Sequence, residues 1–270
     1  MEFKEKYGPW ALITGASAGL GKEFAIQLAE IGMNVILTAR RESKLQDVAK
    51  ECQNIGVETQ IISADLLNPE APKKIAQEIG NKEIGLLVNN AGFGVIGAFW
   101  KADAQKQIDM TYLNCVAVVA VAREFLPQIV KRGRGGIITV SSVAGFQPTP
   151  FFTNYGATKA FDLMLGEGIW AELRRTGVDA LTLCPGYTAT EFQQVAGVNP
   201  NDPRIYADPK DVIRGTLKAL GKKQTYVPQF RNKIMALGYR LFPRKIVTLV
   251  TMAMMKKLGR NHKISHENVM

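Results

Sequence analysis

Cysteine is scarce in this 270-residue chain: Cys52, Cys115 and Cys184 are its three, far apart and in no metal-ligand spacing. No zinc site or disulfide framework is expected, and no other metal site; buried thiols in a reducing compartment are. A signal peptide is also missing. Met1 to Lys6 is charged and lacks the apolar core of a leader, so a cytoplasmic location is expected over export by that route. No Pro/Ser/Gly-rich linker, low-complexity block or internal repeat divides the chain before residue 221. With 46% hydrophobic residues, it can bury one sizeable core. Acids are nearly absent from the end: residues 222–270 hold eleven of the 34 Lys/Arg and one of the 24 Asp/Glu, the lone acid being Glu267. The first 221 residues therefore carry 23 of each sign, and the net charge of +10 belongs to the tail. That distribution excludes a nucleic-acid-binding body.

What is present alternates between strand and helix patterns. Trp10 to Ile13 is a short apolar run of buried-strand type leading into Thr14-Gly15-Ala16-Ser17-Ala18-Gly19-Leu20-Gly21. A helix pattern with Phe24, Ile26, Leu28 and Ile31 follows and ends at Gly32. Glycines between strand and helix let backbone N–H groups approach a phosphate closely, and a helix N-terminus favours negative charge. An ordinary strand-to-helix turn is the plainer reading of the same stretch. The second strand, Asn34 to Ala39, ends in Arg40-Arg41, with Ser43 just beyond. About 20 residues past the glycines of a dinucleotide fold, an acid binds a free ribose hydroxyl and an arginine a 2′-phosphate. NADP(H) is therefore expected over NAD(H). Glu42 argues the other way but begins what reads as the next helix.

Further strands are expected at Gln60–Ala64, closed by Asp65; at Ile84–Val88, closed by Asn89-Asn90-Ala91-Gly92; at Gly136–Val140, closed by Ser141-Ser142; and at Asp179–Leu183, closed by Cys184-Pro185-Gly186. Asp65 stands where it could accept a hydrogen bond from an adenine amino group. Alternating strands and helices call for a doubly wound α/β parallel sheet, Rossmann-like, of about seven strands with helices on both faces. Ligands then bind beyond the carboxyl ends of the strands.

The chemistry concentrates in Tyr155-Gly156-Ala157-Thr158-Lys159. Residues four apart share a helix face, and an ammonium beside a phenol favours the phenolate and lowers its pKa, fitting Tyr155 for proton exchange. The spacing alone is weak, since Tyr206 and Lys210 repeat it. There, however, Pro209 pushes Asp208 out of the helical region.

In this order, TGxxxGxG at Thr14–Gly21, NNAG at Asn89–Gly92, Ser142 thirteen residues before Tyr155, YxxxK and Pro185-Gly186 resemble the compact branch of the short-chain dehydrogenase/reductase superfamily, over roughly residues 8–228. The extended branch usually spaces its glycines TGxxGxxG, which this chain does not. The resemblance implies Tyr155 as general acid/base and Lys159 as its pKa-lowering neighbour and holder of the nicotinamide ribose. It implies Ser142 as hydrogen-bond donor to the substrate carbonyl and Asn114 as anchor of a water passing protons towards Lys159. Ser141 is the alternative to Ser142 if the turn is shifted by one. Thr14, Gly15, Ser17, Gly19, Leu20, Gly21, Asn90, Ala91, Gly92, Pro185, Gly186, Thr188 and Thr190 would meet the cofactor. A homo-oligomer, dimer or tetramer, is implied as well.

Val143, Phe146, Phe152, Tyr187 and Phe192 are expected on a substrate wall for a hydrophobic ketone or secondary alcohol, 3-oxoacyl or steroid-like, and the long loop 187–208 is a candidate lid. Residues 1–228 read as the catalytic domain and 229–270 as its basic, helical extension. The tail's apolar run, 246–255, covers about 15 Å as a helix, half a bilayer's hydrocarbon thickness. It is expected to lie on an anionic membrane surface, to pack over the pocket or to build an oligomer contact. Two other functions compete with an enzyme: a nucleotide-binding or membrane-attached module without turnover, and nucleic-acid binding through the tail, for which no recognition module is visible.

Overall fold

The computed structural model describes residues 2–192 and 207–261. Seven parallel strands form one sheet: β1 (Trp10–Thr14), β2 (Asn34–Ala39), β3 (Thr59–Ser63), β4 (Ile84–Asn89), β5 (Gly135–Val140), β6 (Val178–Leu183) and β7 (Thr225–Tyr226). Their order is β3-β2-β1-β4-β5-β6-β7. The sequence places the first six within a residue or two. The seventh is two residues long, paired only to Thr182 and Leu183, and too short to show a pattern.

Side chains alternate across the sheet, and both faces are apolar because both are covered. Ile13, Val35, Leu37, Val88 and Leu181 pack on one face with Phe24 and Leu28 of α2 (Gly19–Glu30), Val48 of α3 (Glu42–Ile55) and Ile213 of α8 (Pro209–Ala219). Leu12, Ile36, Leu87, Ile137 and Ala180 pack on the other with Ile75 of α4 (Ala71–Ile79), Phe125 and Ile129 of α6 (Ala117–Lys131) and Leu173 of α7 (Thr153–Leu173). Each fully buried aliphatic or phenyl group contributes about 1.5–3 kcal/mol relative to exposure, so these two layers carry most of the driving force. Before them, α1 (Phe3–Tyr7) is tied down by the Tyr7 hydroxyl donating to Asp179.

Three local features shape the site. α5 (Ala104–Thr111) runs into α6 through a π-helical turn, Tyr112–Val116, which carries Asn114 into the interior. The run Ala104–Lys131 is long and apolar enough to cross a membrane, yet its buried side chains pack against the sheet. Asp208 has extended backbone and caps α8 through Lys210 N, with Pro209 in the first turn, as the proline requires; Tyr206, which the spacing paired with Lys210, lies outside the described residues. After β7 come α9 (Phe230–Gly238) and α10 (Arg244–Asn261), which return over the carboxyl edge of the sheet.

Candidate active site

A cavity of about 500 Å³ opens where β1, β2, β4, β5 and β6 end. At β1, the buried Thr14 hydroxyl accepts from the backbone N–H of Asn90 and of Ala91, each at 2.9 Å, which fastens the first and fourth loops together. Asn90 Nδ2 returns a bond to the Thr14 carbonyl at 2.8 Å. Gly15 and Gly19 have left-handed backbone, with φ of 66° and 55°. A Cβ on Gly21 would stand 2.2 Å from the Gly15 carbonyl oxygen, so helix α2 can start this close to the strand only with glycine there. Its N-cap, Ala18, provides no side-chain cap, leaving amide donors of the first turn for a ligand.

Gly15, Ser17, Gly19, Leu20, Arg40, Arg41, Asp65, Asn90, Ala91 and Gly92 line this half of the cavity. Arg41 Nη2 lies 3.2 Å from Ser17 Oγ and 2.8 Å from Glu191 Oε2, so it links the glycine loop to the segment after β6. Asp65 Oδ1 accepts from Leu67 N at 3.0 Å. Thr14 and Gly21 stand behind the lining as buried supports. A Cβ on Gly92 would come 2.9 Å from Asn114 Oδ1 and 3.5 Å from Lys159 Nζ, so the bare backbone there keeps space open beside the lysine. These bare backbone stretches, the uncapped helix and the paired arginines fit a dinucleotide bearing a 2′-phosphate.

The other half surrounds Tyr155. Its ring stacks on Phe152, centroids 4.1 Å apart, and meets Phe192 at 5.4 Å. Met110, Ala144, Phe93 and Met255 complete that cluster. Lys159 Nζ sits 6.0 Å from the ring centroid, and Ser142 lines the cavity with the phenol. Burial pushes the phenol above its ordinary range; Lys159 and Ser142 pull it down, and Asp162 and Cys184 add to burial. The lowering expected from Lys159 alone is therefore outweighed, because the sequence does not show how completely the ring is enclosed.

Ser141 and Ser142 both line the cavity, but Ser141 Oγ donates to the Lys159 carbonyl at 2.6 Å, while Ser142 caps a short 3₁₀ turn through Ala144 N. Asn114, fully buried behind the lining, accepts from Phe93 N and donates to Phe93 O and Thr158 Oγ1. Val143, Phe152, Tyr187 and Phe192 line the cavity, as do Pro185, Gly186, Thr188 and Thr190. Phe146 does not: it packs against the cluster of Leu163, Cys184 and Val227, because the 3₁₀ turn Val143–Phe146 rotates it away from the opening. Of the candidate lid 187–208, residues 193–206 lie outside the described residues.

Sequence reasoning named no residue of the roof. Met235, Tyr239, Thr251, Met254 and Met255 line the cavity from α9, the turn after it and α10. Thr251 Oγ1 shares its hydrogen between the Pro148 carbonyl at 3.0 Å and the Val247 carbonyl of its own helix at 2.9 Å, which ties α10 over the substrate side. Packing over the pocket was one of three readings of the tail, and no local pattern singles it out. Among the described residues no group of three or more His, Cys, Asp or Glu could hold a metal.

A parallel sheet in this order, with a glycine loop at β1 and a serine, tyrosine and lysine meeting at β5, defines a nucleotide-dependent dehydrogenase. The short chain dehydrogenase family model matches residues 9–200, and the chain belongs to that family. It is similar to a 7beta-hydroxysteroid dehydrogenase of Clostridium sardiniense, 32% identical over 237 residues that make up 86% of this chain and 90% of the relative. It is also 32% identical to a very-long-chain 3-oxoacyl-CoA reductase of Anas platyrhynchos over 257 residues, 93% of this chain and 81% of the relative. Among solved structures, one from work on 7beta-hydroxysteroid dehydrogenase stereoselectivity superposes with a TM-score of 0.86 at 29% identity, covering 93% of this chain and 99% of that one. A short-chain dehydrogenase from Sphingobium yanoikuyae in complex with NADPH gives 0.78 at 30% identity, covering 87% and 94%.

Proposed function

We propose that Tyr155 is the proton donor and acceptor of an NADP(H)-dependent oxidoreductase that interconverts a ketone and a secondary alcohol on a lipophilic substrate. The observation that carries this is the enclosure of Tyr155 by Phe152, Phe192, Phe93 and Met255 beside Lys159 and Ser142, at the rim of a glycine-loop cavity. Relatives that act on steroids and long-chain 3-oxoacyl groups, and one solved with NADPH, support the substrate class and the cofactor.

Bound NADPH supplies the hydride. The Ser142 hydroxyl donates to the substrate carbonyl oxygen, and the Tyr155 phenol, kept protonated by burial, gives that oxygen its proton as the new C–H bond forms. Lys159 holds the nicotinamide ribose, Asn114 supports the proton path behind it, and Arg40 with Arg41 takes the 2′-phosphate while Asp65 accepts from the adenine. The aromatic wall excludes water and selects apolar substrates. Residues 229–270 act as an extension of the catalytic domain, and its helices α9 and α10 close the substrate side. Fluorescence titration with NADPH and NADH, followed by cofactor oxidation against a panel of steroid and long-chain ketones, tests the reading; binding of neither cofactor sinks it. Binding without oxidation of any ketone favours a non-catalytic module.

The exposed face of the tail supports peripheral attachment to an anionic membrane. Phe230, Ile234, Leu241, Phe242, Ile246 and Leu249 are all more than half exposed, in the segment that carries the +10 net charge. Because α9 and α10 also roof the cavity, a lipophilic substrate would enter from the surface that stores it. Flotation with vesicles containing phosphatidylserine, against neutral vesicles, tests this. A stable dimer that binds neither assigns the face to self-association instead.

A further inference from the structure

A buried carboxylate stands behind the lysine. Asp162, on α7 three residues after Lys159, has no exposed surface, and its Oδ2 lies 2.8 Å from Lys159 Nζ. Lys159 Nζ also donates to the Val140 carbonyl at the end of β5, 2.9 Å away. Two of the three ammonium donors are thus held on the protein side, and one is left for the cavity. Asp162 Oδ1 accepts no hydrogen bond among the described residues. A buried carboxylate with an unused oxygen is costly, and a well-packed aliphatic side chain there would often leave the fold as stable or more so. Folding alone does not account for the charge.

We propose that Asp162 is a positioning residue of the reaction: its carboxylate keeps the buried Lys159 ammonium charged and anchored against β5, and so helps hold Tyr155 as the protonated phenol that carbonyl reduction consumes. This rests on the roles proposed above for Tyr155 and Lys159.

Tyr155 and Lys159 face Asp162 from its own helix, Cys115 from the π-helical turn and Cys184 from the end of β6, with Glu167 acting on Cys184. Burial pushes the Cys115 thiol up to about 11 and Cys184 up to about 12, so both are neutral near pH 7. Burial, the largest influence, would by itself lower the lysine; Asp162, joined by Tyr155 and Cys115, raises it, and together they place Lys159 above its ordinary range. Burial likewise raises the Asp162 carboxyl, against which the ammonium at 2.8 Å acts.

Asp162→Asn keeps the shape and removes the charge. Without a nearby negative charge, protons on Lys159 and on Tyr155 are both held less tightly, and reduction needs both. The alkaline limb of single-turnover ketone reduction at saturating NADPH should therefore fall by about one pH unit or more. Asp162→Glu, which keeps the charge, should move it back towards the wild-type position. A limb that stays in place or rises in Asp162→Asn overturns the proposal, whatever the change in melting temperature. A second readout needs no Asp162 variant and no cofactor. In protein labelled with 15N at lysine Nζ, the resonance missing from Lys159→Arg should stay protonated above the ordinary lysine pKa of about 10.4; titration below that overturns the proposal even if Asp162→Asn does not fold. Turnover surviving in Tyr155→Phe would instead overturn the active-site reading, and the lysine titration separates the two failures.

Discussion

Replacing Arg41 by alanine is expected to cost NADPH binding and to spare NADH. Arg41 lines the cavity, hydrogen-bonded to Ser17 of the glycine loop and to Glu191. A hydrogen bond to a charged group contributes about 1.5–3 kcal/mol, so its loss should weaken NADPH roughly 10- to 150-fold. NADH, with a free hydroxyl in place of the phosphate, makes no such bond and should change by less than about threefold. Glu191 gives the argument a second arm. Its pair with Arg41 is about half exposed, 50% on the arginine and 46% on the glutamate side chain, so it contributes at most about 1 kcal/mol. A 2′-phosphate must compete with that pair, so Glu191→Gln should tighten NADPH up to about fivefold and leave NADH unchanged. Fluorescence titrations of both cofactors at one fixed ionic strength measure all four effects, since half-exposed charges are screened by salt. Equal loss of NADPH and NADH in Arg41→Ala, or weaker NADPH binding in Glu191→Gln, refutes the placement of the phosphate.

Other expectations follow from single contacts. Gly19→Ala puts a side chain on a left-handed residue, its Cβ 3.1 Å from Thr190 Cβ; the backbone penalty of about 1–2 kcal/mol should appear as weaker binding of both cofactors, and unchanged titrations would contradict it. In Gly166→Ala the new Cβ would stand 2.2 Å from Thr182 Oγ1, so α7 must shift on β6 at a cost of about 1–3 kcal/mol, read as a lower denaturant midpoint. Thr251→Val removes the bond to Pro148 that holds the roof; KM for a long-chain ketone should rise by severalfold more than kcat falls, and an unchanged KM argues against a roof role. Burial holds the Cys52 and Cys115 thiols at about 11 and Cys184 at about 12, above the 9.0 of a free thiol. The folded chain therefore keeps protons that the unfolded chain releases, and folding stability should be intact below about pH 9 and decline as pH rises through 11 to 12. A flat denaturant midpoint between pH 8 and 10.5 contradicts it.

The strands and the cofactor loop were legible because their signals are local. A fully buried parallel strand is an apolar run, a phosphate loop needs glycine at fixed offsets, and Pro209 marks its own helix start. Tyr155 and Lys159 were legible for the same reason, four residues apart on one helix. What stayed hidden depends on distant contacts. The sequence does not show that the Tyr155 ring is stacked on Phe152 and roofed by Met255, so it gave Lys159 the deciding influence on the phenol where burial has it. Phe146 looked like substrate wall beside Val143 and Phe152, but the 3₁₀ turn sends it to the Val227 side. Asp162 reads as an ordinary polar position on a helix until α7 docks and buries it against β5.

The most direct test of the central claim is single-turnover oxidation of bound NADPH by a hydrophobic ketone in wild-type protein and in Tyr155→Phe, with NADPH affinity measured on the same samples. The account predicts that Tyr155→Phe binds NADPH as the wild type does and transfers hydride at least a hundredfold more slowly, on the order of the general acid's share of the rate. Comparable rates in the two proteins would contradict it.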